Sequence, residues 1–362
     1  MFYISPVDPH VHLRGTEYQT DYLSLAYRDA KAVGLSALIE QPNPQPWLID
    51  DESITNRHKK VMENEAFQQF VAADNAVLRG HHIHIGLTND WHQVKKSLEL
   101  VMSHYRGLHS DKTFYTHSTG NMGILDEDYQ RAIWKLQADI GYKGVSIGHF
   151  EDEKCFIGKF ILSDPMSHSA HQNHVAEFIQ VERQFRNAYD VGFEGTFYVA
   201  HVSSPLTIDF IKKNRDRAPF KTVLEMTFHH MFLNYDDVTD FGNCMKMNPP
   251  LRSARMQKQL LDSVLKGDID VIGTDHAPHP YDRKMSDKPP SGIPAIPFWP
   301  RGIELLQKYG IDKELLTKIT VFNAVRLFGL SPGPYMEVNV EYDRSLWEAY
   351  GWNPFARLDV PF

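Results

Sequence analysis

The sequence predicts an α/β protein built as a (β/α)8 TIM barrel. Eight short β-rich segments recur along the chain, and a stretch with helical periodicity and a polar face follows each of them. Strands that alternate with helices pair in parallel through right-handed crossovers, and eight such strands close a barrel. The predicted strands lie at 5–12, 35–43, 82–89, 112–117, 142–150, 195–202, 221–230 and 269–277.

The helical segments begin at residues that are typical helix caps. Asp90 precedes the segment WHQVKKSLELVM, and Ser253 precedes ARMQKQLLDSVL. The side-chain oxygens of Asp and Ser accept hydrogen bonds from the free N–H groups of a first helical turn. We therefore expect helices to start directly after these two positions.

The length of the chain predicts one large domain and a short extension. A barrel of this kind takes about 250 residues, so the 362 residues leave room for long loops and a tail. We expect the barrel to span 1–330 and an irregular C-terminal extension, 331–362, to pack on it. The segment 287–300 is rich in proline and is predicted to be an ordered loop over the barrel mouth, whereas 154–176 is a candidate lid.

Composition excludes several classes of function. The net charge of −8 and the lack of a long basic block argue against nucleic acid as a partner. No apolar run reaches the roughly 18 residues of a membrane span, and the N-terminus has no signal-peptide pattern. With only two cysteines, Cys155 and Cys244, we expect no disulfide framework and a cytoplasmic location.

Ligand-type side chains cluster at one end of the predicted strands. The carboxyl ends of the strands build the active site in a barrel of this type. The residues at those ends are His10, His12, Asn43, Lys112, His149, His201 and Asp275. Side chains alternate along a strand, so His10 and His12 point the same way. Imidazole and carboxylate are ligands for zinc and related ions, which predicts a metal site here.

Lys112 is the unexpected member of this set, because divalent cations repel an ammonium group. Either its side chain points elsewhere, or CO2 carbamylates the amine and turns it into an anionic oxygen ligand. Composition and spacing do not choose between these two alternatives.

The ordered set of motifs resembles the type I dihydroorotases of the metal-dependent amidohydrolase superfamily. The resemblance runs from about residue 7 to residue 330. Its motifs are DPHVHLRG, QPNPQP, KTFYTHSTGNM, HFEDE, HVSSP, EMTFHHMFL, KMNPPLR, GTDHAPH and SGIPAIP. It implies the amidohydrolase barrel and the reversible, zinc-dependent hydrolysis of dihydroorotate to N-carbamoyl-aspartate in pyrimidine synthesis.

The resemblance also implies a two-metal site. His10, His12 and Asp275 would bind one divalent ion, expected to be Zn²⁺, and His149 and His201 would bind the other. Carboxylated Lys112 would bridge the two ions. A competing register places the bridging lysine at Lys143, but this would leave His149 without a role, so we prefer Lys112. Asp275 is the expected catalytic residue, acting as general base and then as general acid.

Four further residues correspond to substrate contacts in the family. Arg14 and Asn43 would hold the substrate carboxylate with help from His279, and Asn248 would read the ring amide. Arg14 lies two residues beyond His12, so we expect it on the same strand face, and a guanidinium fork suits bidentate capture of a carboxylate. The alternative for Arg14 is a salt bridge that fixes the first loop. We expect His229 and His230 to be structural and Glu151 to orient a neighbouring group or cap a helix, while Glu225 has no settled role.

The chain departs from the family pattern at its ends. Family members carry about fifty residues before the H-x-H motif, as part of a small β-sandwich, whereas here the first strand begins near Met1. We therefore expect little or none of this accessory sandwich, and self-association as a homodimer or docking on a partner such as a transcarbamoylase.

Two other functions compete with dihydroorotase activity. One is another cyclic amidase of the superfamily, such as a hydantoinase or an allantoinase. Those families generally lack the pair formed here by Arg14 and Asn43. The other is a catalytically silent homologue that serves as an assembly partner, although such proteins usually lose metal ligands and all six are present here.

Overall fold

Short parallel strands organise this computed structural model, which describes residues 2–71, 80–117, 122–330 and 336–359. The strands are β1 (Phe2–Ile4), β2 (Val7–Val11), β3 (Ala37–Glu40), β4 (Gly80–Ile83), β5 (Ile85–Gly86), β6 (Ser110–Phe114), β7 (Val145–His149), β8 (Thr196–Val199), β9 (Lys221–Thr227), β10 (Val271–Gly273) and β11 (Glu337–Asn339). The helices are α1 (Tyr22–Ala32), α2 (Asp51–Met62), α3 (Glu65–Val71), α4 (Trp91–Met102), α5 (Glu127–Asp139), α6 (Met166–His171), α7 (His174–Asp190), α8 (Pro205–Asn214), α9 (Phe228–Phe232), α10 (Tyr235–Phe241), α11 (Ala254–Leu265), α12 (Tyr281–Lys284), α13 (Trp299–Lys308), α14 (Lys313–Thr317) and α15 (Asn323–Leu327).

Two parallel sheets form the centre of the molecule. One has the strand order β10-β9-β8-β7-β6-β5, and the other has the order β2-β3-β4. β4 and β5 are separated only by His84, whose N–H donates to the Glu40 carbonyl at 2.9 Å. At the opposite edges, the His12 N–H donates to the His276 carbonyl at 2.7 Å, and Val11 forms a parallel bridge with His276. Backbone hydrogen bonds thus connect the two sheets at both edges.

All eight predicted strand segments overlap one of these parallel strands, so the α/β class with parallel pairing is confirmed. The predicted caps of α4 and α11 are confirmed as well, since Asp90 accepts from the His92 N–H and Ser253 from the Met256 N–H. The bounds differ at β6, which begins at Ser110 and places Lys112 in the middle of the strand.

Aromatic packing fixes the helices on the outside of the sheet. Phe197 of β8 lies with its ring centroid 5.5 Å from that of Trp134 on α5 and 5.8 Å from that of Phe185 on α7. Burying a ring of this kind stabilises the fold by about 1.5–3 kcal/mol. The next residue, Tyr198, faces the opposite side of the strand, where it bonds to Glu225 near the site. One strand therefore both anchors helices and supports the site.

The two described ends of the chain pair with each other. β1 and β11 form a separate two-stranded antiparallel sheet, which the sequence did not predict. Further along, Tyr350 donates to Asp29 of α1 at 2.6 Å, and Arg357 forms an ion pair with Asp237 of α10. The segment 336–359 thus packs on the helices, while the predicted boundary at residue 331 lies outside the described residues. Within the described part, no helix is long and apolar enough to cross a membrane.

Candidate metal centre and substrate cavity

Three predicted ligands meet where β2 and β10 end. His10 is the fourth residue of β2, His12 follows the strand, and Asp275 lies two residues beyond β10. His12 Nε2 lies 3.0 Å from Asp275 Oδ1, and His10 Nε2 lies 3.4 Å from the same oxygen. One potential ligand atom from each residue falls within 4.8 Å of the others. This spacing suits a single divalent ion, which such nitrogen and oxygen atoms bind at about 2.0–2.2 Å.

Two more predicted ligands form a pair beside this group. His149 ends β7, and its Nδ1 lies 2.9 Å from Nε2 of His201, which follows β8. The His201 ring also packs at 5.3 Å from the His10 ring, measured between centroids. Glu151 lies 2.8 Å from the other ring nitrogen of His149, as the orienting role predicted for it requires. Adjacent strands thus bring the second pair next to the first three ligands.

Lys112 is completely buried on β6 and points toward the same group. Its Nζ has no hydrogen-bond partner among the described residues. Burial lowers the pKa of Lys112 to about 8, although the charges of Glu225 and Asp275 act in the opposite direction. Lys143, the competing candidate, is exposed and pairs with Glu194. Of the two lysines, only Lys112 is near the predicted ligands.

The buried ligands are electrostatically coupled. Burial alone would raise the pKa of Asp275, but the neighbouring His10 and His12 lower it by more, so the carboxyl stays ionised. Burial lowers the pKa of both His12 and His201, and this keeps their imidazoles neutral. An anionic carboxylate and neutral imidazoles are the forms that bind metal ions.

Glu225 of β9 is a site residue for which sequence analysis predicts no settled role. Its carboxylate lies 2.8 Å from His10 Nδ1 and accepts from the Tyr198 hydroxyl at 2.7 Å and from the His201 N–H at 2.9 Å. Burial raises the pKa of Glu225, but His10 lowers it by more. A ligand histidine is commonly oriented by a carboxylate on its second nitrogen. The available signal was an acidic residue inside the apolar run VLEMT.

Arg14 is buried beside the predicted ligands, called here the metal-ligand group (His10, His12, Lys112, His149, His201 and Asp275). Its guanidinium donates to the Pro278 carbonyl at 2.9 Å and lies 2.8 Å from His279 Nε2. We predicted that Arg14 continues the strand face of His12, which is wrong: β2 ends at Val11, and Arg14 has a left-handed φ of 57°. It forms no ion pair with a carboxylate in the described part of the chain, so the alternative of a loop salt bridge is not observed.

Asn43 and Asn248 lie at the same cavity with partners of their own. Asn43 Oδ1 is 2.6 Å from His12 Nδ1, so Asn43 orients a ligand histidine. Asn248 Oδ1 contacts His168 Nε2 at 2.9 Å and Ser291 Oγ at 3.2 Å. His168 belongs to the predicted lid, which therefore contacts the cavity wall at Asn248.

One cavity collects the predicted site residues. All of them line it except Lys112, which is buried behind it, and His279, which contacts Arg14. The lining residues are His10, His12, Arg14, Asn43, Phe114, His149, His201, Asn248, Asp275, Ala277, Ser291 and Gly292. A larger cavity of about 750 Å³ lies at the amino ends of the strands, and no predicted site residue lines it.

Strained backbone also marks the site. The described residues include five non-glycine positions with positive φ, and three of them are Arg14, His201 and Asp275. A non-glycine residue in this conformation costs on the order of 1–3 kcal/mol and persists where the surrounding structure enforces it.

Curated proteins similar to this chain include several dihydroorotases. The chain is 30% identical to a dihydroorotase from Halobacterium salinarum over 335 residues, covering 90% of this chain and 71% of the relative. It is 26% identical to a dihydroorotase from Methanosarcina mazei, covering 98% of this chain and 80% of that protein. No family model matches the chain.

Solved structures share the fold at lower identity. An L-hydantoinase from Arthrobacter aurescens superposes with a TM-score of 0.73 at 20% identity, covering 91% of this chain and 72% of that one. A dihydroorotase from Campylobacter jejuni gives a TM-score of 0.65 at 17% identity, covering 93% and 86%. These structures show the fold that the chain shares with them, and the 30% identity to the Halobacterium protein establishes the family. The chain belongs to the dihydroorotase family.

Proposed function

We propose that this protein is a dihydroorotase that reversibly hydrolyses the cyclic amide of dihydroorotate to N-carbamoyl-aspartate. The observation that carries the proposal is one cavity that combines five side chains of metal-binding type with a buried arginine, which pairs with no carboxylate among the described residues. Metal ligands suit attack on an amide carbonyl, and the positive charge of Arg14 suits an anionic substituent on the ring. Family membership supports the same reaction.

For the fold, we infer that the two sheets form one closed eight-stranded barrel. The inference is supported by backbone hydrogen bonds at both connecting edges, where His84 bonds to Glu40 and His12 bonds to His276. We assign 1–330 to this barrel and 331–362 to a packed extension. The β1–β11 pair would then lie outside the barrel, where we assign it to an accessory sandwich.

The residues at the cavity fit two divalent metal ions, for which we propose Zn²⁺. His10, His12 and Asp275 would hold one ion, and His149 and His201 the other. Two buried polar atoms without a hydrogen-bond partner in the described chain, Lys112 Nζ and His201 Nδ1, support this assignment. We propose that Lys112 is carboxylated and bridges the two ions, because an unpaired buried ammonium would otherwise be costly. Bound divalent ions lower the pKa of water and polarise the amide carbonyl.

Asp275 carries the proton transfer in this proposal. Its carboxylate is ionised and lies at the cavity between His10 and His12, so it can accept a proton from the attacking water. As the C–N bond of the ring breaks, the same carboxyl group donates that proton to the leaving amide nitrogen. In the reverse direction it removes the proton from the nitrogen that closes the ring.

The substrate carboxylate would bind to Arg14, with His279 and Asn43 beside it. The contact of His279 with Arg14 supports the first part of this set. Asn43 also bonds to His12, and through this contact it would link the carboxylate subsite to a metal ligand. A homodimer, a transcarbamoylase partner and a cytoplasmic location remain predictions of the sequence.

The test is hydrolysis of L-dihydroorotate by protein reconstituted with zinc, with hydantoin and allantoin as comparison substrates. We expect turnover of dihydroorotate well above that of the other two, and its loss in Asp275→Asn. Turnover of hydantoin or allantoin alone would assign the chain to the related cyclic amidases. No turnover of any substrate, with two metal ions bound per chain, would support the catalytically silent homologue.

A further inference from the structure

The segment between β7 and α7 wraps over the wall of the substrate cavity. It contains the predicted lid, in which the Ile157 N–H donates to the His171 carbonyl at 3.0 Å, and Asn243 donates to the Leu162 carbonyl at 3.0 Å. One of its buried side chains is His168 of α6, which is 5% exposed. No role in the proposed reaction has yet been assigned to this histidine.

The hydrogen bonds of His168 define its tautomer. Nε2 lies 3.0 Å from the Met247 backbone carbonyl and 2.9 Å from the side-chain amide of Asn248. A carbonyl oxygen only accepts hydrogen bonds, so Nε2 must carry the hydrogen. Burial lowers the pKa of His168 to about 3, so the ring is neutral at neutral pH and has one N–H, which lies on this nitrogen.

That tautomer fixes the orientation of the Asn248 amide. The atom of Asn248 that faces an Nε2–H donor must be the oxygen, and Ser291 Oγ lies 3.2 Å from the same oxygen. Asn248 Nδ2 has no protein partner in the described chain, and Asn248 lines the substrate cavity. Its two amide hydrogens are therefore the group available to a bound molecule.

We propose that His168 is a positioning residue for substrate recognition, which makes Asn248 present a hydrogen-bond donor to the cavity. The inference rests on the proposed function and refines it. The substrate group read by Asn248 must be an acceptor, namely a carbonyl oxygen of the cyclic amide and not its N–H. A ring with an N–H at this position would face the N–H groups of Asn248. It would bind poorly, because both donors would then be buried without an acceptor.

The test compares His168→Phe, which keeps a planar ring but removes the donor, with His168→Gln, which restores an N–H donor. For His168→Phe we expect the KM for dihydroorotate to rise about tenfold with kcat within about twofold, since a contact made equally in ground and transition state changes KM alone. His168→Gln should recover most of this loss. Metal content should be unchanged in both, because His168 contacts no proposed ligand.

A double-mutant cycle distinguishes a role of His168 in positioning Asn248 from a role in packing alone. If His168 acts through Asn248, adding His168→Phe to Asn248→Ala should raise the KM no further than Asn248→Ala alone. Additive losses, or a Gln variant as impaired as the Phe variant, would overturn the proposal in favour of a structural role. The proposal would also be overturned if the wild type were active and the His168→Phe variant had the same KM for dihydroorotate.

A readout independent of activity is the ¹⁵N spectrum of the histidine side chains. We expect the His168 signals, assigned by their loss in His168→Gln, to show protonated Nε2 and unprotonated Nδ1 at neutral pH. The opposite tautomer would overturn the orientation of Asn248 even in an active enzyme. Wild type that binds metal but does not turn over dihydroorotate would instead refute the proposed function, and the inference with it.

Discussion

Two buried clusters of charged groups lie on neighbouring strands. They differ in whether the charged groups find their partners within the protein. In the Glu40 cluster (Glu40, Arg57, His81 and Tyr27), Arg57 forms a bidentate ion pair with the Glu40 carboxylate. His81 Nε2 lies 3.1 Å from the same carboxylate, and its Nδ1 lies 2.8 Å from the Tyr27 hydroxyl. The two opposite charges of this cluster, on Glu40 and Arg57, are therefore paired with each other inside the protein.

In the metal-ligand group, by contrast, two buried polar atoms have no partner in the described chain. Lys112 Nζ and His201 Nδ1 are buried without a hydrogen-bond partner in the described chain, and Arg14 pairs with no carboxylate there. Buried polar groups are normally paired, and exceptions cluster where a ligand completes them. The comparison suggests that the Glu40 cluster serves stability, whereas the metal-ligand group is completed by metal ions and substrate.

The largest effect should come from Lys112. We expect Lys112→Ala to lower kcat/KM for dihydroorotate by roughly 10³-fold or more and to reduce bound zinc, because a bridging ligand is lost. Lys143→Ala is the matched control, since that lysine is exposed and paired with Glu194. Metal analysis, together with ¹³C NMR after incubation with ¹³CO2, checks the result. Equal activity of the two variants would refute the bridging role.

Arg14 should affect recognition of the substrate more than the chemistry. For Arg14→Met we expect the KM for dihydroorotate to rise about 10²-fold, through loss of a charge-assisted bidentate contact. Inhibition by dihydrouracil, the same ring without the carboxylate, should change far less. Arg14→Lys should be intermediate, because it keeps the charge and loses the fork. Equal losses for both compounds would argue against a carboxylate subsite.

Arg57 provides the opposite case. Arg57→Met leaves the buried Glu40 carboxylate without its main partner and should lower the free energy of unfolding by about 3–5 kcal/mol, measured by urea denaturation. Exchanging Glu40 for Leu in the same chain should recover much of that stability. If Arg57→Met instead raised the KM for dihydroorotate and left stability unchanged, the Glu40 cluster would serve substrate binding and not stability.

The smallest effect concerns the pH dependence of stability. His84 is buried between Ser110 and Pro9, and burial lowers its pKa to about 3, from an ordinary value of 6.5. Its stabilising contribution is therefore complete above about pH 6.5 and is lost as pH falls toward 3. His84→Gln should flatten the loss of stability between pH 6.5 and 5 by about 1.4 kcal/mol per pH unit. His92→Gln, on the exposed start of α4, should leave the slope unchanged.

Local sequence predicted the strands because each carries its own apolar run and is followed by a helix. It placed the start of β6 two residues late because Ser110 and Asp111 are polar but buried. Asp111 accepts there from Gln137 at 3.0 Å and from Ser146 at 2.8 Å. A polar residue whose partners lie on other elements is indistinguishable from a surface residue in sequence.

The same limit applies within the site. His10 and His12 were identifiable as ligands because alternation along one strand is a local rule. Glu225 was not, because its bond to His10 joins residues 215 positions apart. Arg14 was assigned to the correct cavity but with the wrong local geometry, since its left-handed backbone depends on contacts outside its own segment, including the bond from Arg57 to its carbonyl at 2.8 Å.

The left-handed backbone at Arg14, His201 and Asp275 has a consequence for ligand binding. An unfavourable conformation is held there by the packing of the whole fold, so these side chains lose little rotational freedom when metal or substrate arrives. Preorganisation of this kind improves affinity by reducing the entropic cost of association. Substitutions that relax one of these backbones should therefore give a more stable protein that binds its ligands less tightly.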